Sequence, residues 1–196
     1  MIAIVDYGVG NIANVERALK ELGEAVIVTS DTELLDQAEA LVLPGVGAYA
    51  PAMERLKETG LVDFLKEQAE KKPFLGICLG MQLLFESSDE DGLTEGLGIL
   101  PGTIEKLPSD VRLPHMGWHQ LTNHGEAVYF VHSYGAVCDP EWIVDSVEYG
   151  RLVPAIVQKG QVTGMQFHPE KSGEVGLKLL KEWRETTCNS TQQSIK

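Results

Sequence analysis

The sequence predicts an α/β fold: one domain with a mostly parallel, doubly wound central sheet flanked by helices, and a C-terminal half rich in antiparallel strands. Three observations carry that expectation. Over residues 1–77, short apolar runs alternate with segments of helical period, the pattern of strand–helix–strand crossovers. From residue 98 to 166 the pattern changes to short strands separated by turn residues, which favours antiparallel pairing. The segments richest in chemistry, at 44–47, Cys78 and His168, all follow expected strands, and in open α/β sheets functional groups stand at the carboxyl ends of strands.

The elements follow in order. Residues 1–5 form a continuous apolar run suited to a strand buried on both faces. Gly8-Val9-Gly10-Asn11 then opens a helix over 11–22, with Ile12, Val15, Ala18, Leu19 and Leu22 at helical spacing. Residues 25–28 are the next strand, and Asp31 caps a short helix through Leu35. Residues 40–43 make a buried strand ending at Pro44-Gly45. Residues 49–70 read as one or two helices broken near Thr59-Gly60, and 74–77 as the strand before Cys78. The acidic, glycine-bearing stretch 87–98 reads as a surface loop. Short strands are expected at 99–100, 103–106, 117–121, 127–131, 143–147, 155–158 and 162–166, then an amphipathic helix over 176–185. The domain is thus expected over 1–185, with 186–196 a polar, disordered tail.

Composition narrows the function classes. A hydrophobic share of 43% and a charged share of 23% describe an ordinary globular chain rather than a disordered one. A formal net charge of −13 argues against nucleic acid or an anionic membrane as partner, while leaving room for a basic patch on a protein partner. The 3 cysteines, Cys78, Cys138 and Cys188, are odd in number and lack metal-like spacing. With a first strand that starts at once and no long apolar run, they imply a cytoplasmic protein. His115, His119 and His124 have no carboxylate or thiolate at ligand spacing, so no metal site is expected.

Gly76-Ile77-Cys78-Leu79-Gly80 has the Gly-x-nucleophile-x-Gly spacing of a strand-to-helix elbow, with a thiol in place of serine. A following helix N-terminus favours a thiolate and offers N–H groups to an oxyanion. Downstream, His168-Pro169-Glu170 closes a strand. Residues two apart leaving a strand project to one side, so Glu170 can orient His168 while His168 takes the thiol proton. Pro44-Gly45-Val46-Gly47 reads as a loop beside the elbow whose backbone donors serve an oxyanion. Gln82, four residues after Cys78, lies on the nucleophile's helix face, and Glu86 continues that face.

These motifs resemble the class I, triad-type glutamine amidotransferases, a flavodoxin-like fold. The segments Asp6–Asn11, 43–49, Pro114–Trp118 and His168–Ser172 make the likeness closer to one branch, over residues 1 to 185. In that branch a glutaminase subunit passes ammonia to a (β/α)8-barrel cyclase subunit of histidine biosynthesis. The resemblance implies hydrolysis of L-glutamine by Cys78, His168 and Glu170, without a cofactor. It implies oxyanion donors at Val46 and Leu79, and substrate contacts at Gly45, Gly47, Gln82, Glu86, His132, Ser133 and Tyr134. It places Asn11, Trp118 and Lys171 on the interface of a heterodimer. His119 and Gly135 depart from the family pattern, where asparagine and a larger residue are frequent.

Two other readings stand beside this one. A glutaminase serving another acceptor, such as that of pyridoxal phosphate synthase, shares the elbow and the His-x-Glu pair. A non-catalytic nucleotide- or protein-binding module would use Gly8-Val9-Gly10-Asn11-Ile12-Ala13, a G-x-G-x-x-A match, with Asp31 as ribose acid.

Overall fold

The computed structural model describes residues 1–193, with side chains through Thr186. The N-terminal half is laid down as β1 (Ile2–Val5), α1 (Ile12–Glu21), β2 (Val26–Thr29), α2 (Thr32–Gln37) and β3 (Ala40–Gly45). It continues as α3 (Tyr49–Glu58), α4 (Leu61–Lys71), β4 (Phe74–Cys78) and α5 (Leu79–Leu83). Two apolar layers follow from the two-residue period of the strands. Ile2, Ile4, Ala40, Val42, Leu75 and Ile77 face a core closed by Val15, Leu19, Leu180 and Trp183. Ala3, Val5, Leu41, Leu43 and Phe74 face the opposite core, closed by Leu35, Met53, Leu56 and Leu65. Each of these large side chains contributes about 1.5–3 kcal/mol by leaving water. Asp31 caps α2 by accepting from the N–H groups of Glu33 and Leu34.

The second half runs β5 (Phe85–Ser88), β6 (Thr94–Glu95), β7 (Leu100–Lys106), β8 (His115–Gln120), β9 (Ala127–His132) and β10 (Tyr134–Val137). Then come β11 (Ile143–Glu148), β12 (Leu152–Lys159), β13 (Val162–Met165) and α6 (Gly173–Gln193). The central sheet has 7 strands in the order β11-β12-β13-β4-β3-β1-β2. Strands β13, β4, β3, β1 and β2 run parallel, while β11 and β12 pair antiparallel at one edge. A 4-stranded sheet, β10-β7-β5-β6, and the ribbon β8-β9 pack beside it. The mostly parallel sheet with an antiparallel-rich second half is the expected architecture.

Some elements differ from expectation. The stretch 87–98 is not a plain surface loop: it contains the end of β5 and all of β6, and Leu97 is buried. Strand β10 was not foreseen. Strand β6 is only 2 residues long and β10 is held by β7, far back in the chain, so local composition carries little trace of them. Helix α6 is drawn from Gly173 to Gln193. Of the expected tail, 194–196 lie outside the described residues.

Candidate functional site

Strand adjacency assembles the site. β3, β4 and β13 are parallel neighbours, with Gly45 opposite Cys78 and Gly164 opposite Gly76. Their carboxyl ends therefore stand side by side, about 4.8 Å apart, and bring together segments far apart in the chain: the 45–47 loop, the elbow and His168.

The elbow depends on close packing. Cys78 takes φ 55 and ψ −114, a left-handed conformation for a residue with a Cβ. Such strain costs about 1–3 kcal/mol and persists only where the surroundings impose it. They do so because a Cβ on Gly80 would lie 1.9 Å from the Leu43 carbonyl oxygen, and one on Gly76 2.7 Å from that of Gly80. Only glycine lets α5 press this tightly on β3 and β4. The neighbouring loop is tied down by the Tyr7 hydroxyl, which donates to the Pro44 carbonyl at 2.8 Å. Burial, then the nearby Cys78, pushes the Tyr7 phenol far above its ordinary pKa.

His168 is 2% exposed and Cys78 6%. The His168 Nδ1–H donates to Glu170 Oε1 at 2.8 Å, and the ring also hydrogen-bonds Cys78. Burial alone would depress this imidazole. The hydrogen bonds and negative charge of Cys78 and Glu170 outweigh it, lifting the pKa to about 9. Burial likewise pushes the Glu170 carboxyl up, but His168 and Asn11 hold it below the usual carboxylate range. The turn is seated on β9: the His168 N–H donates to the Tyr129 carbonyl at 3.0 Å, and the Ser172 hydroxyl to the His168 carbonyl at 2.7 Å.

A cavity of about 450 Å3 opens over the sulfur. Its walls include Val46, Gly47, Leu79, Gln82, His132, Ser133, Tyr134 and Lys171 of the sequence-derived set. Gly45 lies behind the wall, packed on Leu79 and Gly80. Gln82 is buried, its amide donating to the Tyr134 carbonyl at 2.9 Å and to Gln166 Oε1 at 3.0 Å. Glu86 is not brought to the cavity. Helix α5 stops at Leu83, so Glu86 falls in β5, is exposed, and accepts from the Gly102 N–H at 2.9 Å. Its place on the wall is taken by Glu90, which accepts from the Tyr49 N–H at 2.7 Å.

Asn11 does more than the sequence foresaw. Its Nδ2 donates to Glu170 Oε1 at 2.9 Å, so the first loop reaches the carboxylate that holds His168. Trp118, at 57% exposure, stands on β8 beside Met116 at 55%, an apolar pair on the surface. Of the two departures, Gly135 is hemmed in: a Cβ there would come within 3.3 Å of Leu107 and Val153. His119 meets His115 edge to face, with ring centroids 4.3 Å apart. The nucleotide reading loses its acid, because Asp31 is engaged as a helix cap and a Cβ on Gly10 would meet Pro44 at 3.1 Å. Among the described residues no group of three or more His, Cys, Asp or Glu could hold a metal ion.

Glu90 and Gln166 were missed as site residues, and Asn11 was expected only at the interface. Glu90 carries a weak signal, an acid just after the elbow helix, but nothing local ranks it above Glu86.

Comparison with known proteins follows the same line. Residues 3–183 match the family described as glutamine amidotransferase class-I. The chain is 92% identical over 195 residues, covering 100% of both chains, to the imidazole glycerol phosphate synthase subunit HisH of Exiguobacterium sibiricum. It is 49% identical over 209 residues, again 100% of both, to the subunit of that name from Bacillus cereus strain AH187. Among solved structures, one described as a glutamine amidotransferase superposes with TM-score 0.79 at 22% identity, covering 94% of this chain and 98% of that one. Another, described as a GMP synthase component from Thermoplasma acidophilum, gives 0.73 at 18% identity, covering 100% and 97%. At those identities the two structures speak for the fold alone.

Proposed function

The chain belongs to the class I glutamine amidotransferase family, and from that premise we propose that it is the glutaminase subunit of an imidazole glycerol phosphate synthase. The observation that carries this is the meeting of Cys78 and His168 at the edge of one cavity, with Glu170 hydrogen-bonded to His168.

The chemistry runs as acyl transfer to sulfur. The Cys78 thiolate attacks the side-chain carbonyl carbon of L-glutamine, and the carbonyl electron pair moves onto oxygen. The Val46 and Leu79 N–H groups receive that oxyanion, worth several kcal/mol in a water-poor site. As the C–N bond breaks, His168 gives its Nε2 proton to the leaving nitrogen and ammonia departs. Water then loses a proton to His168 and attacks the γ-glutamyl thioester, releasing glutamate and regenerating the thiolate. Glu170 keeps the proton on Nδ1 and stabilises the imidazolium. No cofactor is needed to balance these steps.

Substrate recognition uses the rest of the wall. With its nitrogen already bonded, Gln82 has its amide oxygen to offer the substrate. Glu90 provides a carboxylate for the α-ammonium group, and the backbone of His132, Ser133 and Tyr134 receives the α-carboxylate. Gly45 and Gly47 shape the oxyanion loop, where φ of +93 at Gly47 permits a turn closed to most residues.

Ammonia is used in a (β/α)8-barrel cyclase subunit, forming a heterodimer in the cytoplasm over a surface containing Asn11, Trp118 and Lys171. Among the described residues no helix is long and apolar enough to cross a membrane. Free hydrolysis would waste glutamine, so activity is low alone and rises when the liganded cyclase docks. Steady-state glutaminase assays with and without the cyclase test this. Full activity in the isolated chain would count against coupling, and co-purification with a different barrel protein would redirect the acceptor.

A further inference from the structure

A second histidine cluster adjoins the cavity through His132. His132 Nδ1 lies 2.7 Å from the Tyr134 carbonyl oxygen, and His132 Nε2 lies 2.9 Å from His115 Nδ1. A carbonyl can only accept, so His132 carries its proton on Nδ1. Its Nε2 is then a lone pair, which obliges His115 to donate from Nδ1. The remaining atom, His115 Nε2, is buried and has no hydrogen-bond partner. Both tautomers are thereby dictated by one backbone oxygen.

That oxygen is shared. The Tyr134 carbonyl also accepts from Gln82 Nε2 at 2.9 Å. The next carbonyls are occupied too: Ser133 by the Leu107 N–H at 2.9 Å, and Gly135 and Ala136 by Arg151 at 3.1 and 3.2 Å. In a planar trans peptide the N–H points opposite to the preceding residue's carbonyl, so anchoring the Ser133, Tyr134 and Gly135 oxygens sets where the Tyr134, Gly135 and Ala136 N–H groups point. Ser133 and Tyr134 line the cavity.

We propose that His115 is a positioning residue for the glutamine site, acting through His132 to hold the Tyr134 carbonyl and with it the backbone that receives the substrate's α-carboxylate. The proposal rests on the glutaminase reading for its substrate. His115 is not itself among the residues lining the cavity. It is stacked on Tyr149, with ring centroids 3.9 Å apart, and on Phe130 at 4.8 Å. Burial, with His132 and His119 nearby, depresses its pKa to about 3, and burial depresses that of His132 to about 4, so the chain is neutral in neutral solution.

The test has two arms. In the full chain labelled with 15N-histidine, long-range proton–nitrogen spectra at neutral pH should show His115 and His132 both as Nδ1–H tautomers. Finding His132 protonated on Nε2 would overturn the proposal whatever the activity. In the complex with the cyclase, His115→Phe keeps the stacking but removes the donor. It should raise the KM for glutamine about tenfold, as for one lost hydrogen bond, with kcat within about threefold. His115→Gln, whose amide can donate to His132, should recover most of that KM. An unchanged KM in His115→Phe, or no recovery in His115→Gln, would make His115 a packing residue only. Absence of glutaminase turnover in the unsubstituted complex would strike the functional reading instead, and the tautomer measurement is independent of it.

Discussion

His168 and His132 both face the cavity over Cys78 and are both buried, yet they titrate in opposite directions. His168 is lifted to about 9 and His132 falls to about 4. Burial acts alike on the two, since removing a cation from water always favours the neutral ring. The partners differ. His168 lies between a carboxylate and a thiol, both able to bear negative charge. His132 lies between a carbonyl and a neutral imidazole. His168 is thus set to hold and move a proton, and His132 to keep its proton fixed.

Cys78→Ala should break the contrast most. It removes the proposed nucleophile, so glutamine hydrolysis should fall by at least about 10^4-fold while cyclase binding persists. It also removes one of the two groups holding up His168, so the imidazole titration followed by NMR should move well below about 9, toward that of His132. A titration that does not move would assign the whole shift to Glu170.

Glu170→Gln comes next. The amide keeps the shape but loses the charge and no longer dictates the tautomer, so kcat should fall about 10^3-fold. In the wild-type complex kcat/KM should decline as pH rises through about 9, because His168 then lacks the proton the leaving ammonia needs. In Glu170→Gln that alkaline limb should shift to lower pH. A limb that stays in place would remove His168 as its source.

Asn11→Ala should have a smaller effect, about tenfold in kcat, from the loss of one donor to Glu170. Measured with a minimal electrophile that reports thiolate reactivity, it separates this role from cyclase docking. If only docking weakens, Asn11 belongs to the interface alone.

The smallest effect is on stability. His168 has a folded pKa above its unfolded value of about 6.5, so its contribution is complete below that value and is lost as pH rises through about 9. His115 and His132 have folded pKa values below the unfolded one. Their contribution is complete above about 6.5 and is lost as pH falls toward about 4 and then about 3. Urea denaturation across pH should therefore show His168→Ala losing the alkaline slope but keeping the acid one. Loss of both slopes together would mean the two sites are coupled.

Much of the molecule was legible before any coordinates. The alternating apolar runs and helical periods, the cap at Asp31, the break near Gly60 and the elbow at Cys78 all rest on residues within a few positions of one another. The illegible parts depend on distant neighbours. β10 is a short strand recruited by β7 from far back in the chain, and α5 ends a turn too early for Glu86 to share the face of Gln82. His115 was read with His119 and His124 only as lacking metal-ligand partners, but the β8-β9 hairpin sets it opposite His132.

The sequence by itself determined the chemical parts: a thiol in a glycine-flanked turn, a histidine with a carboxylate two residues on, and the strands that carry them. These are local patterns, governed by backbone sterics and side-chain period. Tertiary structure decided which strands became neighbours, and so that Glu90 rather than Glu86 reached the cavity, that Asn11 reached Glu170, and that His168 is held charged while the His115–His132 pair stays neutral. Those outcomes depend on burial and on partners brought from afar, and a pKa or a hydrogen bond exists only once the surroundings are assembled.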